Sequence, residues 1–428
     1  MKNLVFILFL FILNVKVLSQ PNMVFVLKED GKKKLVVEDK DFMIKGMNWD
    51  YIPIGSNPVD VDFWNKPDKL IKSALNNEMA LLRSMNVNAI RQYTGVPARW
   101  IKYIYQNYGI YTMLNHSFGR YGISINGVWI PVTNYNEPEV QEFLLEEIRH
   151  LVSEYKDTPG LLLYLLGNEN NYGLFWAGNE TEDFPDDKGK INFIGETRGR
   201  PMYRLMNEAA KIIKQMDQSH PVAICNGDVL FIDIVADECK DVDIYGVNSY
   251  RGASFTDLFQ VVKEKLDMPV MFTEFGADAY NSVEKREDQI SQAYYLCENW
   301  KEIYRNAADL GGADNSIGGF TFQFSDGWWK YGFDHRENAE VHDNTASWAN
   351  GGYSDFSEGE NNMNEEWFGI CAKGPINELG IYDLFPRKAY FVLKEIHLLD
   401  PYENHVTQDY VSNYFKDIEF KNNLNLDN

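Results

Sequence analysis

Two glutamates that terminate apolar runs are the side chains of this chain best suited to chemistry. Glu169 closes Leu165-Leu166-Gly167-Asn168-Glu169-Asn170, after an apolar run from Leu161 to Leu166. Glu274 stands in Pro269-Val270-Met271-Phe272-Thr273-Glu274-Phe275-Gly276, after the run Val270 to Phe272. A wholly apolar run that stops at a carboxylate reads as a buried parallel strand presenting that carboxylate at its C-terminal end. In a barrel of alternating strands and helices, that end carries the reacting groups. Two such carboxylates are the minimum equipment for cleaving a glycosidic bond. One protonates the leaving oxygen while the other attacks from the opposite face of the sugar, and the resulting sugar ester is released by water or a second sugar. The acid must be kept protonated by burial and a neighbouring negative charge; the nucleophile needs donors or a cation to stay ionised. A lone strand-end glutamate is more often a helix cap or an ion-pair partner, so the pair and its flanks carry the argument.

The elements needed to position this pair recur in a strand-then-helix rhythm. Apolar runs at 42–47, 87–91, 110–114, 161–166, 221–225, 242–247, 270–272 and 319–324 read as eight strands. Helical patterns fall between them at 69–85, 138–155, 202–216 and 290–310; in the first, Leu70, Ala74, Leu81 and Leu82 recur at roughly helical spacing. Eight strands alternating with helices imply an α/β fold of the (β/α)8 TIM-barrel type over residues 42–400, rather than an open sheet. Val24 to Leu27 and Lys34 to Val37 flank Glu29-Asp30-Gly31, which reads as a hairpin within a capping segment 20–41. Residues 401–428 read as a polar C-terminal tail. Long polar segments follow the fourth strand (170–200) and the eighth (325–370), and both are expected on the C-terminal face, where loops build a site. They hold Tyr172, Phe175, Trp176, Trp328, Trp329, Trp348 and Trp367, more aromatics than disordered insertions carry.

With 428 residues, 45% apolar and 14% aromatic, the chain can bury a large core as one barrel. Its formal charge of −22 argues against nucleic acid or an anionic membrane as a partner. Lys2, the apolar run Leu4 to Leu13 and Val17-Leu18-Ser19 form a cleavable signal peptide over 1–19, cut after Ser19. That run is too short to span a bilayer, so a secreted or periplasmic protein with no membrane span is expected. Cys225, Cys239, Cys297 and Cys371 match no zinc spacing; one or two disulfides, Cys225–Cys239 being the shortest loop, and buried free thiols both remain open. No cofactor and no metal is expected, because the glycine-rich dinucleotide turn and H-E-x-x-H are both missing. The G-x-S-x-G elbow of an esterase is missing too. Nothing in the motifs specifies oligomeric state.

Gly167-Asn168-Glu169 and Thr273-Glu274-Phe275-Gly276 closely resemble the signatures of retaining glycoside hydrolases of clan A, above all the catalytic barrel of family 2 and that of fungal β-1,3-glucanosyltransferases. Three further pieces look like their first, second and sixth strands: Phe42-Met43-Ile44-Lys45-Gly46-Met47-Asn48, Asn88-Ala89-Ile90-Arg91-Gln92-Tyr93, and Asp243-Ile244-Tyr245-Gly246-Val247-Asn248-Ser249-Tyr250. The likeness runs from about Phe42 to Leu393. It implies Glu169 as acid/base and Glu274 as nucleophile, with Asn168 bonding the sugar 2-hydroxyl and Arg91 and Tyr250 donating to Glu274. An internal ion pair for Arg91 and plain packing for Tyr250 are the alternatives. His116, past the third strand, is either a substrate contact or a structural histidine. Trp328 or Trp329 is expected to floor a pyranose ring, the other packing on the barrel. Tyr172, Phe175, Trp176 and Trp348 are weaker subsite candidates. Family 2 enzymes carry β-sandwich domains before the barrel, and too few residues precede Phe42 to build one. The implied function is a retaining β-glycosidase on an extracellular poly- or oligosaccharide, a β-glucan or β-galactoside. A transglycosylase passing the glycosyl unit to another sugar, and an inactive carbohydrate-binding barrel, are the rival readings.

Overall fold

The computed structural model describes residues 22–424 except 59, 94, 176–184, 186, 331–338, 343 and 345–362. The segment read as a signal peptide, and Trp176 and Trp348, lie outside the described residues. Eight parallel strands close on themselves: β1 (Ile44–Asn48), β2 (Ala89–Gln92), β3 (Tyr111–His116), β4 (Leu161–Leu166), β5 (Val222–Gly227), β6 (Ile244–Asn248), β7 (Val270–Phe275) and β8 (Ser316–Thr321). They follow chain order around the ring, and β8 returns to β1 through the register Gly319↔Lys45 and Phe320↔Gly46. This is the (β/α)8 TIM barrel expected from the sequence.

The outer helices form where apolar residues recur on one stripe. In α3 (Pro138–Tyr155) a proline opens the first turn and Glu139 complements the positive helix end, while Val140, Leu144, Ile148 and Val152 are buried four residues apart. Full burial of each contributes about 1.5–3 kcal/mol. The helices α1 (Asp68–Ser84), α2 (Ala98–Tyr108), α4 (Arg200–Met216), α5 (Ile232–Glu238), α6 (Leu258–Leu266), α7 (Gln289–Arg305) and α8 (Lys388–Ile396) complete the outer ring. The antiparallel strands Val24–Glu29, Lys32–Val37 and Lys40–Asp41 bring Val24, Leu35 and Val37 into one apolar cluster with Ile44, Met113, Leu163 and Met271. This cluster fills the end of the barrel away from the glutamates.

Three features depart from the sequence reading. The eighth strand lies at Ser316–Thr321 rather than 319–324. Gly318 permits this register, because a Cβ there would stand 2.1 Å from the Ile44 carbonyl oxygen. Phe320 stays in the strand opposite Gly46, while Phe322 and Phe324 lie past its end, where the Phe324 amide bonds the Asn48 carbonyl at 3.1 Å. Residues 401–428, read as a polar tail, contain helix α9 (Gln408–Asn422), capped by Thr407 and burying Val411, Phe415 and Ile418. The loop after β3 carries a hairpin, Ile123–Ile125 with Val128–Ile130, that was not anticipated. The four cysteines are buried free thiols, which decides between the two cysteine readings. Among the described residues no helix is long and apolar enough to cross a membrane, and no group of three metal-ligating side chains converges.

Candidate active site

The strands bring Glu169 and Glu274 to the same rim of the barrel. Glu274 lies within β7, beside Asn248 of β6 at a local irregularity in the pairing. Glu169 follows β4 through a tight turn. Gly167 takes φ +86°, and a Cβ on it would stand 2.5 Å from Asn170 Oδ1. Glu169 itself sits in the left-handed region at φ 55°, ψ 36°. A non-glycine residue held there carries local strain of about 1–3 kcal/mol, and such strain concentrates at functional sites.

Around Glu274 the donors are numerous. Arg91 of β2, fully buried, gives Nη1 to Oε1 at 2.8 Å. Tyr93 gives its hydroxyl to the same oxygen at 2.7 Å, and Tyr250 gives its own to Oε2 at 2.9 Å. Burial first, and then the nearby Glu274 charge, push the Tyr250 hydroxyl well above the ordinary tyrosine range. Burial does the same to Tyr93, with Arg91 opposing it. Both phenols therefore remain donors at any physiological pH. Three donors, one of them a buried guanidinium, thus converge on one carboxylate.

Arg91 also ties the Glu274 side of the site to the Glu169 side. Its Nη2 donates to Asn168 Oδ1 at 2.7 Å and its Nε to Asn115 Oδ1 at 2.9 Å. Asn248 Nδ2 donates to Glu169 Oε1 at 3.0 Å and to Asn168 Oδ1 at 3.2 Å. Asn168 Nδ2 in turn donates to the Tyr121 hydroxyl at 2.7 Å. Beneath them, Cys225 packs its sulfur 3.2 Å from Thr273 Oγ1; burial raises its pKa to about 11, so it remains a neutral thiol.

The other sequence candidates divide. His116 is turned out of this network: its Nδ1 accepts the Phe118 amide at 3.2 Å and its Nε2 lies 3.4 Å from Glu147 on α3. Trp328 stacks on His342 at 4.4 Å, and His342 stacks on Trp367 at 3.6 Å, so one indole face is occupied. Trp329 lies beside Asp50 and under the Lys330 ammonium at 4.7 Å. Tyr172 packs where Gly227 has no side chain, and Phe175 stacks with Phe231.

Three site residues escaped the sequence reading. Tyr93 had a signal, since it stands two residues past Arg91 and so shares its face of the strand. Asn248 likewise precedes Tyr250 by two. Tyr121 had none, because it reaches Asn168 from a loop.

A family model for the TIM-barrel domain of glycosyl hydrolases family 2 matches residues 29–340, well over half of the chain. The chain belongs to glycoside hydrolase family 2. Solved family 2 structures share the fold. The β-galacturonidase of Eisenbergiella tayi, crystallised with galacturonate, superposes with a TM-score of 0.53 at 16% identity, covering 89% of this chain and 55% of that one. The β-D-glucuronidase of Dictyoglomus thermophilum gives 0.52 at 16% identity, over 89% and 54%. The Bacteroides uniformis β-glucuronidase gives 0.55 at 13% identity, over 87% and 37%. A probable 1,3-beta-glucanosyltransferase of Saccharomyces cerevisiae is 23% identical over 292 residues, covering 60% of this chain. This chain spans only about half the length of that relative, 49%.

Proposed function

We propose that the protein is a retaining β-glycoside hydrolase that cleaves an extracellular poly- or oligosaccharide, a β-glucan or β-galactoside, through a covalent glycosyl-enzyme. The observation that carries the reading is the set of donors on Glu274, which accepts from a buried guanidinium and two phenols. A carboxylate so held is suited to attack as the nucleophile, which gives Glu169, on the same rim beside Asn168 and Asn248, the part of the acid.

Glu169 gives its proton to the glycosidic oxygen as Glu274 attacks the anomeric carbon, the C–O bond breaks and a glycosyl ester forms. Glu169, now ionised, takes a proton from water, whose oxygen displaces Glu274. Asn168, aligned by Arg91, Asn248 and Tyr121, is positioned to bond the sugar 2-hydroxyl, an interaction that strengthens as the ring flattens. The apolar N-terminal run supports export. A second reading, transfer to a sugar acceptor, is favoured by the likeness to the yeast glucanosyltransferase.

The test is incubation with β-glucans and β-galactosides, with products separated by chain length; a 2-deoxy-2-fluoro glycoside traps the intermediate. Products shorter than the donor mark hydrolysis, and longer ones mark transfer. The peptide bearing Glu274 is expected to gain the mass of the fluorosugar. Glu274→Gln is expected to abolish turnover, while Glu169→Ala slows it yet leaves substrates with good leaving groups partly cleaved. Full activity in both variants refutes the assignment.

A further inference from the structure

Beside the acid glutamate, the loop after β3 presents aromatic surface that the barrel does not use for its own packing. The hairpin pairs Ile123 with Ile130, Ser124 with Trp129 and Ile125 with Val128. Ile123 and Ile125 anchor it, being 6% and 8% exposed. Ser124 and Trp129 lie on the opposite face, and Trp129 is 59% exposed. Its indole does not swing freely. It lies against the α-carbon of Gly122, where a Cβ would stand 2.6 Å from its six-membered ring. The adjoining Tyr121 is 45% exposed and accepts from Asn168, next to Glu169. A single exposed aromatic on a protein surface needs no explanation, but two in adjacent positions continuous with a catalytic rim form a patch that does.

We propose that Trp129 and Tyr121 form a leaving-group subsite, in which the pyranose beyond the scissile bond stacks its C–H face on the indole. This rests on the reading of Glu169 as acid. Acid and nucleophile act from opposite faces of the reacting sugar, and the leaving oxygen departs toward the acid. Arg91, Tyr93 and Tyr250 hold Glu274, whereas Asn168, next to Glu169, bonds Tyr121 at the foot of the hairpin. The sugar joined through the leaving oxygen is therefore directed along Tyr121 to Trp129. The contact with Gly122 orients the indole toward this position, which lowers the ordering cost of binding. The same surface receives a sugar acceptor in place of water, so it also bears on transfer.

The experiment uses β-1,3- and β-1,4-linked gluco- and galacto-oligosaccharides of two to five units, alongside the matching p-nitrophenyl monoglycosides. Trp129→Ala is expected to lower the ratio of kcat/KM on the best tetrasaccharide to that on the aryl monoglycoside at least tenfold. Gly122→Ala, which displaces the indole without removing it, is expected to act in the same direction, and Trp129→Phe to recover part of the loss. Phe420→Ala, an 84% exposed aromatic on α9, is the surface control. Calorimetric binding of the same tetrasaccharide to Glu169→Gln, with and without Trp129→Ala, reads the subsite apart from turnover and should weaken at least tenfold. Cleavage by the native protein with an unchanged ratio in Trp129→Ala overturns the subsite alone. A native protein that neither binds nor cleaves any of the oligosaccharides overturns this inference and the glycosidase reading together.

Discussion

Replacing Glu274 by glutamine should cost much more stability than replacing Glu169 by glutamine. Glu274 lies 2.8 Å from Arg91, whose side chain is fully buried while that of the glutamate is 10% exposed. At an effective dielectric near 20, the lost attraction is about 6 kcal/mol. The two tyrosine bonds to Glu274 become neutral and weaken by about 1 kcal/mol each. One effect opposes this: the desolvation cost of one carboxylate disappears. Experience with orphaned buried charges puts the net cost at about 3–5 kcal/mol. An isostere that keeps its acceptor atom belongs at the lower end, near 3 kcal/mol.

Glu169, read as the acid that carries a proton, becomes a neutral amide of similar shape, so Glu169→Gln should change stability little. Over about 400 ordered residues, an unfolding entropy near 2.1 cal/mol/K per residue converts 3 kcal/mol into a Tm decrease of roughly 3–4 °C for Glu274→Gln. Reversible denaturant titration and thermal melts of both variants at pH 7 provide the assay. If Glu274→Gln proves as stable as Glu169→Gln, then Arg91 does not depend on Glu274 for charge compensation, and the electrostatic basis for naming it the nucleophile fails.

Tyr93→Phe and Tyr250→Phe each remove one donor from Glu274 and should lower kcat by about 100- to 1,000-fold, the range seen when a single charge-stabilising donor is deleted; loss in only one of them would show that the two oxygens are not held equivalently. Glu78, buried against the Trp49 indole nitrogen and facing Lys373 and Asp50, has its pKa raised by burial to about 8. A raised carboxylate pKa means the folded state holds a proton that the unfolded state has released, so this stability is complete below about pH 4.5 and is lost as pH rises through about 8. Glu78→Gln should flatten that decline, measured as denaturation midpoints from pH 5 to 9. His397, buried beside Trp300, has its pKa lowered to about 3, chiefly by burial. Its contribution is present above about pH 6.5 and lost on acidification toward 3, so His397→Gln should narrow the acid loss of stability over that interval. Gly167→Ala, which forces a Cβ toward Asn170 at a positive φ, should cost more than about 1 kcal/mol and disorder the Asn168–Glu169 turn, seen as a joint fall in Tm and kcat.

What the sequence disclosed and what it withheld have the same cause. The parallel strands are buried on both faces, so Leu161–Leu166 and Val270–Phe275 stand out as apolar runs, and the glutamates at their ends are conspicuous. Period 2 along a strand also made Tyr93 and Asn248 derivable from Arg91 and Tyr250, although neither was singled out. The eighth strand was misplaced because its stretch begins with glycines that let β1 approach closely and ends with phenylalanines that pack beyond the barrel; hydrophobicity favours the second half, backbone approach the first. The helix α9 was hidden because only Val411, Phe415 and Ile418 of its fifteen residues are buried, a stripe too narrow to lift a polar segment above a tail. His116 and Tyr121 illustrate the limit at loops. Both follow β3 within a few residues, yet one turns to Glu147 and the other to Asn168. That choice is made by tertiary contacts, by the Phe118 amide on the imidazole and by Asn168 on the phenol, and neither leaves a periodic trace in the chain. Specificity is written in such loops, so the barrel and its two carboxylates were accessible from sequence while the choice of substrate proposed for them requires the loops themselves.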